Sequence, residues 1–204
     1  MYQVGDELFP SATTILGATE RTDWLQDWID RVGKERADYL TQYGAERGTY
    51  VHGMIHKYLS NQRIEKSDHR PDYFWTFHRV RSILDRIDEI LLLEQPVYSE
   101  AYKIAGTLDC AARFDGTRSV IDFKNYRKPK TKEQLETAFI QAAIYAICFE
   151  EEVRQILGLE IQIEKLVVIF SAEETCSGVE VVNFQDFKEK ALARIARYHA
   201  EFKV

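Results

Sequence analysis

Cysteine is scarce in this chain. Cys110, Cys148 and Cys176 are odd in number and far apart. They make neither a disulfide framework, nor a zinc knuckle, nor an iron–sulfur ligand set. A reducing cytoplasm is the expected setting. No apolar run approaches the roughly 20 residues that cross a bilayer, so no membrane partner is expected. The opening MYQVGDELFP lacks the basic and apolar regions of a signal peptide and the arginines of a transit peptide. A mitochondrial setting is expected instead if a transit peptide has been removed. Basic excess is missing too: 27 Lys and Arg stand against 33 Asp and Glu, a net charge of -6. That weighs against a protein that coats nucleic acid along its length. It leaves open an enzyme whose own site is acidic. Repeats and low-complexity tracts are absent. What remains is 204 residues with 45% apolar content, enough for a real core in one domain, 1–204, or one domain with an added helical lobe.

The chain is organised around residues 105–124, AGTLDCAARFDGTRSVIDFK. The stretch reads as two strands joined at Asp115-Gly116-Thr117. Alternate side chains of a strand point to opposite faces. Asp122 and Lys124 therefore share a face, with Ile121 and Phe123 on the other. On the first strand Asp109 shares its face with Ala105, Thr107 and Ala111, while Leu108, Cys110, Ala112 and Phe114 take the apolar face. Two carboxylates and a lysine then point into one roomy space. Close carboxylates are costly to bury unless a proton or cation is shared. A hard divalent ion such as Mg2+ suits this oxygen set, and the adjacent lysine can serve the chemistry. The alternative is a hairpin whose charged residues face solvent.

Before this stretch the pattern is mostly helical. Residues 8–16 read as extended, with Ser11, Thr13 and Thr14 offering hydroxyls either to phosphates or to a helix cap. Thr22 or Asp23 caps a helix in which Trp24, Leu25, Trp28, Ile29 and Val32 repeat at helical spacing, the two tryptophans as core. Gly44 breaks the pattern, and a new helix covers 45–59 with Val51, Ile55 and Leu59 as its stripe. His52 and His56 lie on one face of it. A zinc protease needs Glu after the first histidine and finds Gly53. A polar connection, 61–71, leads to a long helix over 72–93. Residues 1–94 are thus a mainly helical lobe carrying His52, and 95–204 an α/β core. The core opens with a strand from Pro96 that carries Glu100.

After Lys124, the residues Arg127, Lys128, Lys130 and Lys132 concentrate positive charge beside the carboxylates, a phosphate track. Thr131 and Gln134 fit a capping box, opening a helix to about residue 151. That helix is apolar nearly all round, hence buried. Gln141 and Tyr145 lie one turn apart inside it, and a buried glutamine needs partners, so this helix faces a site. Strands over 165–171 and 178–182 follow. Asn183 caps a last helix over 184–202, with Phe187, Ala191, Ile195 and Tyr198 facing the core.

Taken together, these motifs resemble the PD-(D/E)XK nuclease superfamily, its RecB-like exonuclease branch, and within that branch the phage and mitochondrial genome maintenance exonuclease-like proteins. The residues that carry the resemblance are PSATTIL, RGTYVH ending in His52, Glu100, GTLD with Asp109, IDFK with Asp122 and Lys124, and Gln141 with Tyr145. They occur in family order over residues 9–145. The resemblance implies an α/β fold with a mixed central sheet flanked by helices, the helical lobe walling a channel. It implies metal-dependent DNA hydrolysis, favouring single-stranded ends, in replication, repair or recombination. Asp109, Asp122 and the Phe123 carbonyl would hold one or two Mg2+ or Mn2+ ions, with His52 near a second. Lys124 would position or help deprotonate water. Gln141 and Tyr145 would orient the phosphate or the lysine, and Glu100 would be a ligand, a water-holder or a hydrogen-bond partner. Ser11, Thr13, Thr14, Arg47, Arg127, Lys128 and Lys130 would contact DNA. The sister branch with an iron–sulfur cluster has four cysteines; this chain does not, so no cluster is expected. A structure-selective endonuclease and a catalytically silent DNA-binding module are the other readings, and the intact Asp109, Asp122 and Lys124 favour an enzyme.

Overall fold

Pro10 and Ser11 mark where the chain stops pairing and starts coiling. A short hairpin of β1 (Tyr2–Val4) and β2 (Glu7–Phe9) precedes them, and α1 (Ala12–Thr19) follows. The Oγ of Ser11 accepts the Thr14 N–H at 3.0 Å and shares hydrogen bonds with the Thr13 and Thr14 hydroxyls. Such a cap contributes about 1 kcal/mol. Residues 12–16, expected to be extended, are therefore helical: the cap starts the helix, and Ala12, Ile15 and Leu16 bury one face of it. The computed structural model describes residues 1–20, 23–172 and 177–202; Thr22, Cys176 and the side chain of Trp24 lie outside the described residues.

Two further elements depart from the sequence pattern. After α2 (Asp23–Val32), α3 runs unbroken over Lys34–Leu59. Gly44 does not end it. A glycine in a helix costs only about 1 kcal/mol relative to alanine, and Ala37, Val51, Met54 and Ile55 anchor the helix on both sides of it. Trp28 is half-buried, not core. Next, α4 (Pro71–Leu84) starts with proline at its first position, where no N–H is needed. It stops nine residues short of expectation. The chain turns at Asp85 and Arg86, whose guanidinium holds the Asp115 carboxylate, and enters β3 (Ile87–Ser99). Short apolar runs fit either period; here pairing with β4 (Ile104–Phe114) decides for strand.

Asp115 (φ 49°) and Gly116 (φ 78°) join β4 to β5 (Thr117–Tyr126) in a two-residue turn, with Phe114 paired to Thr117. Positive φ at both central residues matches the twist of the flanking strands, and Gly supplies it without strain. The capping box forms between Thr131 and Gln134, and α5 (Glu136–Leu157) crosses over to β6 (Lys165–Ala172). The helix outlasts its expected end by six residues, to the left-handed Gly158. Then come β7 (Gly178–Asn183) and α6 (Gln185–Phe202).

The sheet order is β3-β4-β5-β6-β7, with β5 and β6 parallel and the other neighbours antiparallel. On one face Ala111, Val120 and Val168 pack beneath α5, α6 and α1. On the other, Cys110, Ala112, Phe114, Ile121, Phe123 and Val167 pack beneath α3 and α4. The result is an α/β fold with a mixed sheet between helical layers, as expected. Burial raises the Cys110 thiol to about 12. Among the described residues no helix is long and apolar enough to cross a membrane.

Candidate active site

The site sits where two strands part. Pairing of β4 with β5 runs from Phe114 and Thr117 to Cys110 and Ile121 and then stops. The next residues on the two strands are Asp109 and Asp122. In place of a ladder carbonyl, Asp109 Oδ2 accepts the Phe123 N–H at 2.8 Å. Strict alternation breaks here: Leu108 packs in the α5 layer and Cys110 in the opposite one. The expected common face of Leu108 and Cys110 is thus corrected by the fork. On β5 the alternation holds, with Ile121 and Phe123 under α3 and α4.

Asp122 is 1% exposed. Its Oδ1 accepts from Lys124 Nζ at 2.8 Å, and its Oδ2 is buried with no hydrogen-bond partner. Burial, aided by the Asp109 charge and opposed by Lys124, pushes its carboxyl up to about 6. Lys124 shifts upward as well: burial works against its charge, but Asp122 and Asp109 outweigh burial. So the two carboxylates favour the lysine as a cation, suited to balancing negative charge. Its ammonium also donates to Gln141 Oε1 at 3.1 Å, and Gln141 Nε2 donates to the Tyr145 hydroxyl at 3.0 Å. The Gln–Tyr pair of α5, its tyrosine buried and its glutamine part-buried, thereby fixes the lysine.

From the other side, α3 brings His52. Its Nε2–H donates to the Phe123 carbonyl at 2.9 Å, which leaves Nδ1 4.0 Å from Asp109 Oδ1. Six expected residues, His52, Asp109, Asp122, Lys124, Gln141 and Tyr145, are therefore brought together, with the Phe123 carbonyl among them. Among the described residues no three His, Cys, Asp or Glu side chains already form a closed cation site. The donor set nevertheless fits a hard divalent ion: two carboxylates, one with an orphaned buried oxygen, and a main-chain carbonyl.

Glu100 is not brought in. It lies exposed in the turn after β3, not on a strand. Asp109 is five residues beyond the start of β4, roughly 17 Å along the strand. Glu151, which the sequence reading passed over, closes that turn by accepting from Ser99 Oγ and the Ala101 N–H.

Beside the site opens a cleft of about 830 Å³. One wall is the segment after Lys124: Asn125, Tyr126, Arg127, Lys128 and Lys130, without Lys132. The other is α2 and α3: Trp28, Arg31, Arg36, Tyr39, Tyr43 and Arg47. The Arg36 guanidinium lies 5.6 Å from the Tyr39 ring centroid, Tyr39 stacks with Tyr43 at 6.3 Å, and Arg47 lies 5.6 Å from Tyr43. Burial lowers the Arg47 pKa from its ordinary value. These residues recur every three or four positions along α3. Reading Gly44 as a break hid that stripe.

The model of the PD-(D/E)XK nuclease superfamily matches residues 17–203. The chain belongs to that superfamily. Mouse mitochondrial genome maintenance exonuclease 1 is 31% identical over 128 residues, 59% of this chain and 38% of the mouse protein. Its human counterpart is 28% identical over 131 residues, 60% and 38% of the respective lengths. The chain thus matches about two-fifths of the length of these curated relatives. Solved structures that align with it include the following two. SSO0001 does so at a TM-score of 0.43 and 13% identity, over 96% of this chain and 79% of that one. A putative exonuclease from Eubacterium rectale does so at 0.40 and 12%, over 96% and 70%. As a member of the superfamily, this chain is a nuclease-fold protein whose Asp109, Asp122 and Lys124 occupy one buried corner of the sheet.

Proposed function

We propose that the protein is a divalent-metal-dependent DNA exonuclease that hydrolyses phosphodiester bonds from single-stranded ends during DNA replication, repair or recombination. The observation that carries this is the cleft. Its lining combines aromatic rings with cations, the Tyr39–Tyr43 stack lying between Arg36 and Arg47, and one wall runs directly into Lys124. Aromatic faces stack on unpaired bases regardless of sequence, and cations track the backbone. A duplex hides its base faces, so the lining favours a single strand. The exonuclease-named relatives support the same reading.

Asp109 and Asp122 would hold Mg2+ or Mn2+, one or two ions, together with the Phe123 carbonyl. The ion supplies Lewis-acid activation of the phosphodiester and of the attacking water. Lys124, favoured as a cation by the two carboxylates, faces the extra negative charge of the transition state. Gln141 and Tyr145 keep it there. His52 fixes the Phe123 carbonyl and turns Nδ1 towards Asp109. Water adds across the P–O bond by in-line attack, and the leaving oxygen takes up a proton.

The test uses linear single-stranded DNA labelled at either end, a circular strand and a duplex. Each is incubated with Mg2+, Mn2+ or chelator, beside a Lys124→Ala variant. Metal-dependent loss of the linear strand alone, diminished about 10²–10³-fold in the variant, is the expected result. Early products from the two labels give the polarity. Cleavage of the circle would make the protein an endonuclease. No metal-dependent cleavage would leave a binding module.

A further inference from the structure

The apolar stripe of α5 is longer than the surface that covers it. Phe149, Val153, Ile156 and Leu157 continue the buried face at spacings of four, three and one. Phe149 is buried, but Ile156 is 65% exposed and Leu157 62%. Leu159 just beyond is 54% exposed, and Leu91 on β3 49%. Between the end of α5 and β3 lies a groove of about 470 Å³, lined on the strand side by Leu91, Leu92, Gln95 and Pro96. Isolated exposed leucines are ordinary, but a contiguous apolar patch on a surface marks a contact site.

Two features of the groove define its occupant. The first is β3 itself, an edge strand. Its ladder is irregular between Asp88 and Leu92, Glu89 and Glu94 take positive φ of 44° and 47°, and Pro96 has no N–H. Bulges, left-handed residues and proline prevent another strand from adding to an edge. Docking must therefore use side chains. The second feature is charge. Glu152 lines the groove, Glu94 and Glu160 are the chain neighbours of its lining residues Gln95 and Ile161, and among the described residues no Lys or Arg lines it. A second copy would set this acidic rim against itself, and DNA would be repelled by it.

We propose that this groove docks a cationic amphipathic helix of another protein, its apolar side chains on Ile156, Leu157 and Leu91 and its Lys or Arg residues against Glu94, Glu152 and Glu160. Helix-in-groove docking uses apolar anchors spaced at i, i+3/i+4 and i+7. Ile156 stands 15 residues beyond Gln141, roughly 22 Å along the helix axis. A partner can thus be held without covering the cleft. The inference stands on this surface alone and does not depend on the proposed hydrolysis.

The experiment titrates three fluorescein-labelled 18-residue peptides into the full chain: a Leu/Lys amphipathic helix, its Leu/Glu counterpart, and the Leu/Lys composition in scrambled order. The Leu/Lys helix is expected to bind roughly tenfold or more tighter than either control. Ile156→Asp on one wall and Leu91→Asp on the other should each abolish the difference, with melting temperature unchanged because both side chains are half-exposed or more. Equal binding of ordered and scrambled peptides, or binding indifferent to both substitutions, would overturn the proposal. Sedimentation showing a dimer that Ile156→Asp dissociates would assign the groove to a second copy and overturn it as well.

Discussion

Gly106 is where a single methyl group should test the link between packing and the site. The residue lies on β4 beneath Tyr145, and a Cβ there would stand 2.6 Å from the tyrosine Cε1 and 3.4 Å from its Cζ and hydroxyl oxygen. Carbon–carbon contacts ordinarily lie at about 3.5–4.0 Å, so the ring must retreat by about 1 Å. Tyr145 is 5% exposed and surrounded by the core. Overpacking of this kind costs roughly 1–3 kcal/mol. For a chain of this length that is a fall in melting temperature of roughly 2–12 °C. The ring also carries the hydroxyl that accepts from Gln141, which in turn accepts from Lys124. A displacement of about 1 Å in a positioned reacting group can lower a rate about 10²-fold. Gly106→Ala should therefore lose both stability and single-turnover hydrolysis of a linear oligonucleotide, while oligonucleotide affinity, set by the cleft, stays within about twofold. Two controls separate the effects. Tyr145→Phe keeps the ring and removes the Gln141 contact, so it should lower the rate with little loss of stability. In the Tyr145→Leu background, where the ring is gone, Gly106→Ala should cost much less by urea unfolding. A Gly106→Ala penalty below about 0.5 kcal/mol, or one equal in both backgrounds, would refute the contact as its cause.

Three further outcomes follow from the site and the cleft. Mg2+ or Mn2+ at about 100 times its Kd should stabilise the protein by about 2.7 kcal/mol, chelator should reverse this, and Asp122→Asn should abolish it; a calorimetric shift that survives the substitution would place the ion elsewhere. Replacing Arg127, Lys128 and Lys130 together with alanine should reduce the slope of log affinity against log salt by about 2, at about 0.7 per phosphate contact on a single strand, and an unchanged slope would remove the segment from the backbone track. Glu100→Gln should leave hydrolysis within about twofold, since its turn lies away from Asp109; a tenfold loss would put Glu100 in the reaction after all.

The sequence made some of this readable because the relevant physics is local. Alternation places Asp122 and Lys124 opposite Ile121 and Phe123, and β5 stays paired to β6 from Ser119 to Tyr126, so its pleat continues past the point where β4 leaves it. The Thr131–Gln134 capping box, which opens the 3-10 turn Glu133–Leu135 leading into α5 rather than α5 itself, and the Gln141–Tyr145 pair are legible for the same reason: each is decided within one or two turns. Where the reading failed, the deciding partner was distant. The apolar residues after Leu84 fit a helical period as well as a strand, and only β4, with the Arg86–Asp115 ion pair, selects the strand. Leu108 faces away from Cys110 because β4 leaves β5 at that point, which no alternation rule contains. Glu100 was assigned to a strand because the turn that holds it is closed by Glu151, fifty-one residues later.

The misreading of Gly44 has the largest consequence for function. Split at that glycine, the segment leaves Tyr39 and Tyr43 apart from the helix that carries Arg47 and His52. Unbroken, α3 carries Arg36, Tyr39, Tyr43 and Arg47 on one rigid element with His52, which reaches the Phe123 carbonyl. Tyr39 and His52 are 13 residues apart, roughly 20 Å of helix, so a strand stacked along the cleft and the carboxylate corner of the sheet are registered by one body. On the facing side, Lys124 and the Asn125–Lys130 wall are consecutive in the chain. Each wall of the cleft is thus continuous in the chain with residues of the candidate cation site. A net charge of -6 is then no obstacle to a nucleic-acid substrate, because Arg31, Arg36, Arg47, Arg127, Lys128 and Lys130 line the cleft and, among the described residues, no Asp or Glu does.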